Sequence, residues 1–150
     1  MGLLTVLAFL SLLLPQVRVV VWESSQERLL YLWGGHGALG SDVSRIAYLL
    51  AALTGMIAAL LMIGGFRDLQ KENPRAIARF NWAALFLAIE LVFLLGIAEE
   101  VLTDLRVQRL HADSYASWGG GIAEFLLFTL LFLPGWVKKT YFPGVEPSAD

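Results

Sequence analysis

The chain has 150 residues, 57% of them hydrophobic and 16% charged, with a net charge of −2 and no cysteine. Soluble domains sit nearer about 45–50% apolar and about 25% charged, so the excess points to lipid, and the slightly acidic balance leaves no basic field for nucleic acid. The absence of cysteine excludes disulfides, thiolate metal sites and a Cys nucleophile.

The apolar residues fall into four blocks. The first run, residues 3–22, carries Pro15, Gln16 and Arg18 in its second half. Met1-Gly2 offers no basic n-region, and Pro15-Gln16-Val17-Arg18 is unlike a small-residue cleavage site, so a retained helix is expected rather than a signal peptide. Pro15 should kink that helix. Beyond it, Ser24-x-x-Glu27 reads as a capping box, followed by Leu29, Leu30, Tyr31, Leu32 and Trp33, with Gly34-Gly35 as a stop. This pattern predicts a short helix in the headgroup plane.

The second run covers residues 46–66, with Asp42 or Ser44 as cap and Gly64-Gly65 loosening its end. Ala51, Gly55 and Ala59 recur at four-residue spacing, which lets helix backbones approach closely in lipid. Packing within the chain is the plainer expectation and contact between copies the sharper one. The third run, residues 80–98, should continue as helix past Glu99 and Glu100, because Val101, Leu102, Leu105 and Leu110 keep near-helical spacing. The fourth run, residues 118–136, opens with Gly119-Gly120-Gly121 and is punctuated by Pro134-Gly135, with Lys138-Lys139 following. One membrane domain over residues 1–139 and a short polar tail over residues 140–150 follow from this division.

Basic residues in short loops face the cytoplasm. Arg67, Lys71, Arg75 and Arg79 lie between the second and third runs, and Lys138 and Lys139 close the fourth. Both termini are therefore expected in the cytoplasm, with residues 23–45 and 99–117 outside. Trp22, Trp33, Tyr115 and Trp118 would line the outer interface, and Trp82 and Trp136 the inner one.

An ionisable group inside the bilayer costs roughly 2.5–3.5 kcal/mol or more and normally has a partner or a role. Helical rise puts Glu90 roughly 2 Å, Glu124 about 5 Å and Arg18 about 8 Å outward of the midplane. Arg18 pairing with Glu124 or Glu90 would fix helix packing. Alternatively, one carboxyl is neutral and hydrogen-bonded to a neighbouring helix, or the two line a path for a proton or cation. His36 and His111, both in expected outer loops, could meet over a metal with Asp113, although two solvated histidines are the plainer reading. No membrane-helix haem ligands, phosphate cradle, nucleophile elbow or HExxH motif is present.

The segment Arg75-Ala-Ile-Ala-Arg79-Phe-Asn81 resembles the arginine-rich helix start of the four-helix glutathione-dependent membrane enzymes. Ala84 stands where that family places a Glu three residues after the Asn, and an extra apolar run precedes the segment, so no enzymatic role is carried over. The fold expected is all-α, a four-helix transmembrane bundle with a short outer interfacial helix. The function expected is a structural or accessory subunit of a larger membrane complex, without cofactor, whose partners are the lipid bilayer and other subunits or its own copies. The alternative is a homo-oligomeric transporter or channel, coupled to protons or cations through Glu90 and Glu124. A membrane enzyme acting on lipid or quinone is a further reading.

Overall fold

Alanine and glycine on one face of a helix let a second helix come close, and the longest pair of helices is built this way. In the computed structural model, which describes residues 2–22, 26–31 and 42–143, α2 spans Asp42–Gln70 and α3 spans Arg75–Val107. On α2, Ala51, Ala52, Gly55, Ala58, Ala59 and Gly65 are buried, and on α3 Ala76, Ala83 and Ala84. A Cβ on Gly65 would lie 2.6 Å from the Phe80 ring. Phe80 is therefore seated against bare backbone and meets Phe66 edge-on at 5.1 Å.

The turn between these helices is set by backbone hydrogen bonds. Asn73 N–H donates to the Asp68 carbonyl at 2.9 Å, and Glu72 N–H to the Leu69 carbonyl at 3.1 Å, with Glu72 at φ 54°. That is a Schellman ending, made here without the usual glycine. Asn73 then caps the next helix, its side-chain oxygen accepting from Arg75 N–H at 3.0 Å. The other end of α3 repeats the device: Leu110 N–H reaches the Leu105 carbonyl at 3.0 Å, Arg109 N–H reaches the Arg106 carbonyl at 2.9 Å, and Arg109 sits at φ 60°.

Two further helices complete the bundle. They are α1, Gly2–Leu13, and α4, Trp118–Tyr141, the latter packing on both α1 and α3. Among the described residues two helices, α2 over Ile46–Gln70 and α4, are long and apolar enough to cross a membrane, with 33% of the most apolar stretch of each buried within the chain. Their outer faces stay apolar: Leu49, Leu53 and Leu60 on α2, and Phe128, Leu131 and Phe132 on α4, are all exposed.

At one end of the bundle lies a three-stranded antiparallel sheet, ordered β2-β1-β3, formed by β1 (Val17–Val21), β2 (Gln26–Leu30) and β3 (Ala112–Ala116). Val17 pairs with Leu30 on one side and Ala116 on the other; Val21 pairs with Gln26 and Ala112. The inward residues Val19 and Val21 join Leu30, Ile97, Val101, Leu102 and Leu105 in a second apolar core. The far end of α3 is thus covered by the sheet rather than by another helix.

The sheet corrects the all-α expectation. Residues 3–22 do not form one kinked helix: α1 stops at Leu13, and Val17-Arg18-Val19-Val20-Val21 is a strand. β-branched residues prefer a pleated surface, and after Pro15 the chain takes that preference. The interfacial helix expected from Ser24-x-x-Glu27 is instead β2 over Gln26–Leu30, because pairing with β1 supplies its backbone partners. Residues 23–25 and 32–41, including Trp33, His36 and most of that expected segment's end, lie outside the described residues. α3 does run past the carboxylates to Val107. α4 continues through Pro134 to Tyr141 instead of ending there, with Val137 and Phe142 buried in the main core.

The α4 N-terminus is where bundle and sheet meet. Its glycines press on the Leu14–Pro15–Gln16 link between α1 and β1: a Cβ on Gly119 would lie 2.7 Å from the Leu14 carbonyl, and one on Gly120 would collide with the Gln16 carbonyl oxygen. Gly121 faces open space. Gly120→Ala should therefore lower stability by about 1–3 kcal/mol, while Gly121→Ala should leave it unchanged or raise it by up to about 1 kcal/mol through helix propensity. Thermal unfolding of the two variants in one detergent checks this; equal effects would refute the clamp.

Candidate functional site

Glu90 comes from the middle of α3 and faces α1 and α2. It is 0% exposed. Its carboxylate occupies the space that the missing side chain of Gly55 leaves: a Cβ there would lie 2.6 Å from Glu90 Oε2 and 2.7 Å from Leu12 Cδ2. Ala51 and Ala59, one turn to either side of Gly55, are buried in the main core. The hydroxyls buried on the same two helices are turned back onto their own backbone. Thr54 donates to the Leu50 and Ala51 carbonyls at 2.9 and 3.0 Å, and Ser11 to Ala8 at 2.8 Å. Neither oxygen of Glu90 has a hydrogen-bond partner among the described residues. Such a group normally costs stability unless it serves another purpose.

A second polar centre lies at the junction of bundle and sheet. Gln16 is 1% exposed. Its Nε2 donates to the Ser11 carbonyl and to the Leu14 carbonyl at 3.2 Å. Its backbone N–H donates to Leu30 at 2.7 Å, and its carbonyl accepts from Ser117 N–H at 3.0 Å. Gly119 N–H donates to Pro15 at 2.9 Å. The Ser117 and Gly119 amides at the start of α4, where helix amides have no partner inside their own helix, are thus met by the α1–β1 link, while Ser117 contributes no side-chain cap. With Nε2 held by two carbonyls, Gln16 Oε1 is left as a buried acceptor without a hydrogen bond.

Gln16 and Glu124 line one cleft of 210 Å³, whose walls come from Leu91, Leu94, Leu95 and Ala98 on α3 and from Tyr115 on β3. Glu124 is exposed on α4. Arg18 lies on an exposed position of β1, not on a membrane helix, and lines a neighbouring depression with Trp118 and Phe125. The two carboxylates singled out in the sequence therefore occupy different spaces. Glu90 is enclosed by α1 and α2, and Glu124 borders the cleft between α3 and α4.

The histidine pair is only half described. His111 is exposed, its carbonyl accepting from Trp22 N–H at 2.9 Å, and Asp113 accepts from Trp22 Nε1–H at 3.0 Å. No group of three metal-ligating side chains occurs among the described residues, and His36 lies outside them. At the opposite end of the bundle, Arg79 crosses α2 over Gly64 to reach Asp68 at 3.1 Å. This half-exposed ion pair ties the α2–α3 turn and is worth at most about 1 kcal/mol.

Gln16 is the residue that sequence reasoning passed over. Its signal was an uncharged amide inside an apolar run, next to a proline, in a chain with three consecutive glycines elsewhere. Comparison with protein-family models, with characterised proteins and with solved structures finds no match.

Replacing Glu90 with Met keeps roughly its volume and removes the unpartnered oxygens. Glu90→Met should raise unfolding stability by about 1–3 kcal/mol, read as a higher midpoint in thermal or denaturant unfolding. A fall of similar size would mean that the carboxylate has a stabilising partner.

Proposed function

We propose that this chain is an integral membrane protein, a helical bundle whose long helices span the bilayer with the shorter α1 packed among them and the sheet on the outer side, serving as a structural or accessory subunit of a larger membrane assembly. One observation carries this reading. The sheet is held onto the bundle through the Leu14–Gln16 link, and it stands above helices whose outward faces remain apolar. Lipid and neighbouring helices are the natural cover for such faces. The sheet end has an aromatic rim of exposed Trp22, Tyr115 and Trp118, while exposed Trp82, Trp136 and Tyr141 mark the other end. Two aromatic belts separated by apolar helix support a spanning arrangement. Arg67, Lys71, Arg75, Arg79, Lys138 and Lys139 gather at the end away from the sheet, which supports a cytoplasmic placement of that end.

The runner-up is a proton- or cation-coupled transporter or channel built from several copies. The enclosed, unpartnered Glu90 carboxylate favours it, since intramembrane carboxylates mark ion pathways.

The natural lack of cysteine makes orientation directly measurable. Val107→Cys, on an exposed position beside the sheet, should react with a membrane-impermeant maleimide in intact cells, and Lys139→Cys should not. The reverse pattern would invert the topology. Gentle extraction should yield the chain in a complex with other polypeptides, whereas a lone or purely self-associated species counts against the subunit reading. For the transporter reading, Glu90→Gln should abolish proton or cation flux into vesicles; unchanged flux removes it.

A further inference from the structure

The cleft at the bundle–sheet junction has the makings of a ligand site that the subunit reading does not use. Its walls are aliphatic: Leu91, Leu94, Leu95 and Ala98. Its polar side chains are Gln16, Ser114, Tyr115 and Glu124, of which Glu124 alone is charged. Gln16, 1% exposed, holds Nε2 on two backbone carbonyls and keeps Oε1 as a buried acceptor without a hydrogen bond. Glu124 brings a carboxylate from α4. Gln16 Oε1 and the Glu124 carboxylate can only accept, while the Ser114 and Tyr115 hydroxyls can do either, so the complementary ligand is a donor, and the negative charge of Glu124 selects a cation. Glu124 lies six residues into α4, roughly 9 Å along the helix from Trp118.

We propose that this cleft binds an amphiphile bearing a primary ammonium group, its N–H donors shared between Gln16 Oε1 and the Glu124 carboxylate and its apolar portion laid against the α3 leucines. The shared chemistry admits two sources, the headgroup of phosphatidylethanolamine or a free long-chain amine. A quaternary headgroup has the charge but no N–H, so it cannot satisfy the buried amide oxygen. An anionic headgroup meets Glu124 with like charge. The site asks nothing of a partner protein and stands whether or not the chain is a subunit.

Native mass spectrometry of the purified full chain decides the matter, with phosphatidylethanolamine, phosphatidylcholine and dodecylammonium as probes. Phosphatidylethanolamine should bind at one per chain, with an affinity roughly tenfold or more above that of phosphatidylcholine. Glu124→Gln should remove most of that preference, and Glu124→Lys all of it. Because Glu124 is exposed, both variants should keep the parental unfolding midpoint. Selective binding of phosphatidylethanolamine assigns the lipid source. Selective binding of dodecylammonium alone assigns a free amine. Equal retention of all three probes, or a preference for phosphatidylethanolamine that persists in Glu124→Lys, overturns the site.

Discussion

The carbonyls of Leu14, Pro15 and Gln16 hold the two halves of this molecule together. The Leu14 carbonyl takes the Gln16 side chain, the Pro15 carbonyl takes Gly119 N–H, and the Gln16 carbonyl takes Ser117 N–H. Without that link α1 would end in unpaired backbone, and the sheet would have no fixed position above the helices. Gln16 is buried and Leu14 and Pro15 partly so, which favours partners within the protein for their backbone groups. Glycine at positions 119 and 120 is what lets α4 come close enough to provide one. The clamp therefore explains both the glycine run and the polar residue that precedes the first strand.

Small residues recur wherever backbones approach. Gly55 makes room for Glu90, Gly64 for the Arg79 side chain, and Gly65 for the Phe80 ring. In lipid, apolar side chains gain little by leaving their surroundings, so helix association rests on close van der Waals packing and on hydrogen bonds between helices. The longest helix pair packs alanine and glycine beside buried Met62, Phe66, Phe80 and Leu87, and leaves Leu49, Leu53 and Leu60 exposed. The second core beneath the sheet is different. Val19, Val21, Ile97 and Leu105 come from strand and helix alike and form a conventional apolar core at the bundle's end.

The two polar centres divide the labour differently from the pattern of charges along the chain. Glu90 is enclosed, its position set by the gap at Gly55. Glu124 opens onto a cleft that also reaches the buried amide of Gln16. Height along a helix axis put these carboxylates close together; the direction in which each side chain leaves its helix separates them. Arg18 moved furthest from its expected setting. It stands on an exposed position of β1 rather than within an apolar helix.

Much of the architecture was legible in the residues alone. Length and apolarity marked the helical regions around residues 46–66, 80–98 and 118–136. The spacing of Val101, Leu102 and Leu105 carried α3 past its carboxylates, and the glycine and alanine positions on α2 marked a close-packed face. These are local properties, written in side-chain polarity at helical period. The sheet was not legible. Five-residue strands are too short for alternation to stand out from an apolar run, and Val17–Val21 becomes a strand only because β2 and β3, the latter about 95 residues away, supply its hydrogen-bond partners. Nor could sequence assign Gln16, Pro134 or the separation of Glu90 from Glu124, since each depends on what another segment brings to it. Polarity and period determined which stretches are helical; pairing across long chain separations, which no local pattern encodes, decided where the strands form and which polar groups share a space.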